Sequence, residues 1–183
     1  MEPSRCCPWW LAYAFDNPLR RLFHKPEVML APYLKPGMTA LDLGCGMGYF
    51  SIAMAKMVGE KGKVISVDIQ EEMLGIMQQR ATKAGVINRI KPVLSDGVEI
   101  RVRANVDFAI AVWMVHEVKG LESFLRQVRD TLKNGGIFFV IEPKMHVRLT
   151  QFRQLTSEIE RAGFSKSSEP KVSLSRAAVF TKK

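Results

Sequence analysis

A chain of 183 residues with 47% apolar and 25% charged residues is long enough for one domain with a substantial core, and this composition excludes a disordered or fibrous protein. The net charge of +9 is gathered toward the C-terminal end, where residues 144–183 carry nine basic and three acidic groups. With no dense block of like charge, a solvated surface is the first reading and an anionic or nucleic-acid partner the second.

The first 36 residues fit no regular alternation and read as an N-terminal helical extension. They contain the aromatic tract CCPWWLAYAF, with no basic leader and cleavage site of a signal peptide. From Thr39 onward, short apolar runs alternate with helical patterns. TALDL (39–43) reads as a buried strand, and YFSIAMAKMVG as the helix that follows. KVISVD (63–68) is a second strand, and residues 70–85 a helix with Met73, Leu74, Met77 and Ala81 on one face. IKPVLS (90–95) is a third strand, placed at an edge by Pro92, and VDFAIAVW (106–113) a fourth. Residues 121–136 read as a helix ended by Asn134-Gly135-Gly136, followed by the strand IFFVIEP (137–143), a helix over about 150–162 and the strand-like RAAVFTK (176–182).

Alternation of this kind predicts an α/β fold, in which right-handed crossovers build a mostly parallel sheet covered on both faces. The domain is expected over 37–183. The longest apolar run, VDFAIAVWMV, falls short of the roughly 18 residues of a membrane span. The three cysteines, Cys6, Cys7 and Cys45, make no disulfide framework, so a cytoplasmic setting is expected.

The stretch LDLGCGMGYF (41–50) sets glycines at 44, 46 and 48. A dinucleotide fingerprint needs its third glycine where Tyr49 stands, and no Gly-Lys-Ser/Thr of a phosphate loop follows. Asp42, two residues before the first glycine, is a poor host for pyrophosphate and suits a ligand with positive charge nearby. With this motif the chain resembles the class I S-adenosylmethionine-dependent methyltransferases, whose first motif is an acidic residue, any residue, then G-x-G-x-G. Asp68, ending the second strand, and Asp96, in LSDG after the third, match the family's next two landmarks. The resemblance covers residues 39 to about 143. Its general style is that of the branch containing ubiquinone and menaquinone C-methyltransferases.

The resemblance implies a three-layer Rossmann-like fold with a seven-stranded sheet whose last strand is antiparallel. It also implies S-adenosylmethionine as cofactor and S-adenosylhomocysteine as product. Asp42 then orients the methionine end, and Gly44, Gly46 and Gly48 let the backbone approach, with Cys45 in a variable slot. Asp68 binds the ribose, Ile69 and Met73 pack on the adenine, Asp96 and Gly97 meet its edge, and Val112 lies beside the cofactor. The acceptor is expected beyond strands four and five, near Trp113, Met114, His116 and Glu117. There His116 is the candidate general base, against a structural reading as a loop-orienting histidine.

No Asn/Asp-Pro-Pro-aromatic tetrapeptide follows the fourth strand, no cysteine follows strand four or five, and no paired-glutamate loop is present. These absences move weight toward a small-molecule acceptor and away from nucleic acid or protein arginine. A nucleic-acid methyltransferase using the basic tail, and a non-catalytic S-adenosylmethionine-binding protein, are the alternatives. Trp9, Trp10 and Tyr13 are candidates to cover the acceptor as a lid. The same aromatics beside Arg20, Arg21 and Lys25 could instead meet a membrane surface, and a docked amphipathic helix is the plainer reading. Cys6-Cys7 invites a metalloid reading, but too few further cysteines support it. No metal site is predicted, and His24 and His146 are expected at the surface or in loops.

Overall fold

The structure, a computed structural model, describes residues 24–183. Its elements in chain order are α1 (Pro26–Leu30), β1 (Thr39–Leu43), α2 (Tyr49–Val58), β2 (Lys63–Asp68), α3 (Glu71–Lys83), β3 (Ile90–Leu94), β4 (Val106–Val112), α4 (Leu121–Thr131), β5 (Leu132–Pro143), α5 (Leu149–Arg161), β6 (Phe164–Ser168) and β7 (Ser175–Lys182). Seven strands form one sheet in the order β3-β2-β1-β4-β5-β7-β6. β1 to β5 run parallel, and β7 pairs antiparallel with both β5 and β6. Pro92, which has no N–H to give a ladder, lies on the outermost strand β3, as its chemistry requires.

Both faces of the sheet are covered, and this is why its strands are apolar at successive positions instead of alternating. Ala109 and Ala111 of β4 and Phe138 and Val140 of β5 face one core, with Phe124, Leu125 and Val128 of α4 and Phe152, Leu155 and Ile159 of α5. Phe108, Ile110, Phe139 and Ile141 face the other, with Phe50 and Met54 of α2, Leu74 and Met77 of α3, and Leu30 of α1. Leu30 and Leu34 therefore seat residues 26–34 on the α2–α3 side of the sheet.

Two elements differ from the sequence reading. The helix expected to run to 136 ends at Thr131, and β5 begins at Leu132. Leu132 takes an extended backbone and buries its side chain, while Gly135 adopts φ 73°. The register then jumps, with Val106 opposite Leu132 but Phe108 opposite Ile137. Asn134-Gly135-Gly136 thus form an irregularity within a strand, not a helix stop. The second difference is β6: FSKSS buries only Phe164, and its four exposed polar residues hide the strand from a pattern search.

Candidate active site

β1, β4 and β5 lie side by side with Leu43 opposite Ala111 and Val112 opposite Ile141, so their C-terminal ends open onto one rim. That rim is where open α/β sheets hold ligands.

The loop after β1 carries Gly44, Gly46 and Gly48, all at positive φ. A Cβ on Gly44 would meet Met114 Cγ at 2.9 Å, and one on Gly48 would collide with Met77, whereas one on Gly46 would find nothing within 4 Å. Two of the glycines therefore serve packing against the segment after β4 and against α3. Gly46 alone borders open space. Its N–H donates to Asp68 Oδ2 at 2.8 Å, and Gln70 N–H donates to Asp68 Oδ1 at 3.0 Å. Burial pushes the Asp68 carboxyl above its ordinary value, and these backbone donors pull it back. The carboxylate keeps spare lone pairs beside the open space, an acceptor suited to a ribose diol and unsuited to phosphate. The site thus fits the nucleoside part of the cofactor that the motif implies.

Asp42, only 2% exposed, sits beneath this loop. Its Oδ2 accepts the Ser51 hydroxyl at 2.6 Å, and Ser66 donates to Ser51 at 2.8 Å. The chain from β1 through α2 to β2 satisfies a carboxylate that burial would otherwise penalise. Cys45 is buried, and that burial, with Asp42 and Asp68 nearby, holds its thiol well above the ordinary range. That disfavours the reactive thiolate and suits a packing role in the core beside Phe50 and Met54.

Ile69 is 44% exposed, and a Cβ on Gly97 would lie 4.0 Å from its Cγ2, while Met73 is buried on α3, so Ile69 alone of that pair presents an apolar wall. Asp96 is turned into its own loop. Oδ1 accepts the N–H groups of Val98 and Glu99, and Oδ2 pairs with Arg101 at 2.7 Å. The two N–H groups and the guanidinium hold the Asp96 carboxyl down at about 2. Three of its roughly four lone-pair positions are thereby taken, which leaves one for a further donor.

Past Val112 the chain turns sharply. Trp113 has φ 58°, a strained conformation for a bulky residue. Its backbone N–H donates to Ile141 C=O at 2.8 Å, its indole N–H donates to Ser175 Oγ at 2.9 Å, and its ring meets His24 edge-on at 5.0 Å. Strain held by so many partners is a mark of functional sites. His24 corrects the surface expectation. It is fully buried, its Nε2 at 3.1 Å from Ser173 C=O, because α1 folds back onto the core and carries it inward.

The turn delivers His116 to the end of β5. Nδ1 lies 2.6 Å from Glu142 Oε2, and the His116 backbone N–H donates to Glu142 Oε1 at 3.2 Å. Glu142 is fully buried. Its hydrogen bond raises the His116 imidazole above its ordinary value against the opposing effect of partial burial. Glu117 Oε1 stands 4.0 Å from Nε2, and the His146 ring is centred 5.8 Å away. Met114, His116 and Glu117 are thus drawn to one rim. Trp9, Trp10 and Tyr13 lie outside the described residues. The partner of His116 was missed from sequence, although a glutamate ending the apolar run IFFVIEP is itself a signal.

A methyltransferase-domain family model matches residues 34–173. The demethylmenaquinone methyltransferase of Geobacillus stearothermophilus is 29% identical over 137 residues, 74% of this chain and 58% of that protein. The ubiquinone/menaquinone biosynthesis C-methyltransferase of Hydrogenovibrio crunogenus is 28% identical over 125 residues, 68% and 49% respectively. The chain spans about half the length of the curated relatives it matches. A solved SAM-dependent methyltransferase from Aquifex aeolicus superposes with a TM-score of 0.87 at 27% identity, covering 96% of this chain and 98% of that one.

Proposed function

The chain belongs to the methyltransferase-domain family, and from that premise we propose that it is an S-adenosylmethionine-dependent methyltransferase acting on a small organic acceptor in a reducing cytoplasm. The observation that carries this reading is the 2.8 Å hydrogen bond from Gly46 N–H to Asp68, which joins the glycine loop to the β2 carboxylate beside open space. When bound, the cofactor supplies a methyl group on a positively charged sulfur.

In this reading Asp68 accepts from the ribose hydroxyls, and Ile69 and Gly97 flank the adenine. The remaining lone pair of Asp96 takes the adenine amino group. The loop through Gly44, Cys45, Gly46 and Gly48 supplies backbone, and Asp42 steadies it through Ser51. Met114 and Glu117 border the acceptor, and His116 takes the proton that the acceptor gives up. Trp113 shapes the rim through its packing on His24. Residues 1–36 form the extension, and 37–183 the catalytic domain. Several basic groups of the C-terminal quarter are engaged locally, Lys182 with Leu132 C=O, Arg176 with Val147 C=O and Lys166 with Glu169, which weighs against a phosphate-binding face.

Calorimetric titration with S-adenosylhomocysteine, with NADH as control, tests the reading. The expected result is micromolar binding of the first ligand only. Asp68→Ala should weaken it at least about tenfold, since a hydrogen bond to a charged group is worth roughly 1.5–3 kcal/mol. Binding of NADH instead, or of neither ligand, would overturn it.

A further inference from the structure

A fully buried carboxylate needs a reason. Glu142 is the penultimate residue of β5, and both of its oxygens face the segment that leaves β4: Oε1 accepts the His116 backbone N–H, and Oε2 lies against Nδ1. An ionised carboxylate is acceptor-only, so Nδ1 must carry a proton, and in the neutral imidazole Nε2 is then a bare acceptor. We propose that Glu142 is a positioning residue that locks His116 in the Nδ1–H tautomer and so presents Nε2 as the base for an acceptor that loses a proton on methylation.

This inference rests on the methyltransferase reading and deepens it. Hydroxyl and acidic-carbon acceptors need such a base, whereas a thiolate, already ionised, does not. As the acceptor's electron pair forms the new bond to the methyl carbon, the carbon–sulfur bond breaks with its pair going to sulfur, leaving neutral S-adenosylhomocysteine. The acceptor's proton passes to Nε2, and the imidazolium charge is balanced by Glu142 across 2.6 Å. Among the described residues, the other charged or titratable groups around the ring are Glu117, His146 and Arg176. Glu117 lies 4.0 Å from Nε2, the His146 ring is stacked edge-on, and Arg176 stands opposite Glu142 in the β5–β7 register with its Nε on Val147 C=O.

A glutamine at 142 separates this role from simple stapling. Its amide oxygen can still accept from the His116 backbone N–H, and its NH2 then donates to Nδ1. Both hydrogen bonds survive, but the tautomer inverts to Nε2–H. The experiment follows the two-bond proton–nitrogen correlations of the histidine rings in 15N-labelled protein from pH 5 to 9. His116→Gln and His146→Gln variants assign the signals of the three histidines. The wild type should show Nδ1–H for neutral His116. Glu142→Gln should show Nε2–H with a lower midpoint, and Glu142→Asp should restore part of the shift.

An Nε2–H tautomer in the wild type, as a protonated Glu142 donating to Nδ1 would produce, overturns the proposal even if Glu142→Gln fails to fold. An unchanged tautomer in a folded Glu142→Gln overturns it as well. Wild-type titration with S-adenosylhomocysteine distinguishes the two levels. Binding with the wrong tautomer sinks the positioning role alone, whereas the right tautomer without binding sinks the methyltransferase reading and the base role with it.

Discussion

Three glycines two residues apart look interchangeable in a motif, yet each has different surroundings. Gly46 borders open space at φ 51°, whereas Gly48, at φ 85°, is pressed against Met77 of α3. Alanine at either position pays the left-handed backbone penalty of roughly 1–2 kcal/mol. At Gly48 the new methyl must also displace a buried side chain, which adds about 1–3 kcal/mol of overpacking. Urea unfolding should therefore rank Gly48→Ala clearly below Gly46→Ala in stability. Binding of S-adenosylhomocysteine should separate them differently, because only at Gly46 does the methyl enter the open space proposed for the ligand. Equal stabilities would show that α3 gives way and that its contact with the loop is loose. The motif made these positions legible, but the distinct reasons for each glycine were not, since Met77 and Met114 reach the loop from remote parts of the chain.

At the scale of elements, His116 and Glu142 clip the exit of β4 to the end of β5. The imidazole titrates higher in the folded protein than in the unfolded chain, chiefly because Glu142 bonds it. A raised value means that the folded state binds the proton more tightly. The stabilisation is then fully present below the unfolded value of about 6.5 and is lost as pH rises through the folded one. Urea midpoints measured from pH 5 to 9 should show a wild-type advantage over Glu142→Gln that shrinks across that window. An advantage constant with pH would mean that the clip acts through packing alone. Sequence placed β4 and the glutamate-ending strand, because five apolar residues in a row need burial on both faces. It misplaced the end of α4 because Asn-Gly-Gly terminates helices and interrupts strands by the same backbone freedom. The core contact of Leu132, which decides between the two, is long-range.

For the molecule as a whole, the sheet is one continuous layer between two cores, and the candidate site lies on the rim where β1, β2, β4 and β5 end. Sequence gave access to that arrangement because the landmarks Asp42, Asp68 and Asp96 sit at or just past strand ends, where pattern and motif coincide. It gave no access to Glu142 as the partner of His116 or to the burial of His24, because both depend on segments 26 and 149 residues apart meeting. A site framed by several strands binds its ligand only when all of them are in place, so binding should report on the entire fold. S-adenosylhomocysteine at one hundred times its dissociation constant should stabilise the protein by about 2.7 kcal/mol. For a chain of this size that corresponds to a rise of about 5–10 °C in Tm. Thermal unfolding followed by far-UV circular dichroism, which averages over the sheet and helices, should shift as one transition. A rise confined to part of the signal would show that the glycine-loop half melts independently of the β5–β7 half, and NADH at the same concentration should leave the curve where it was.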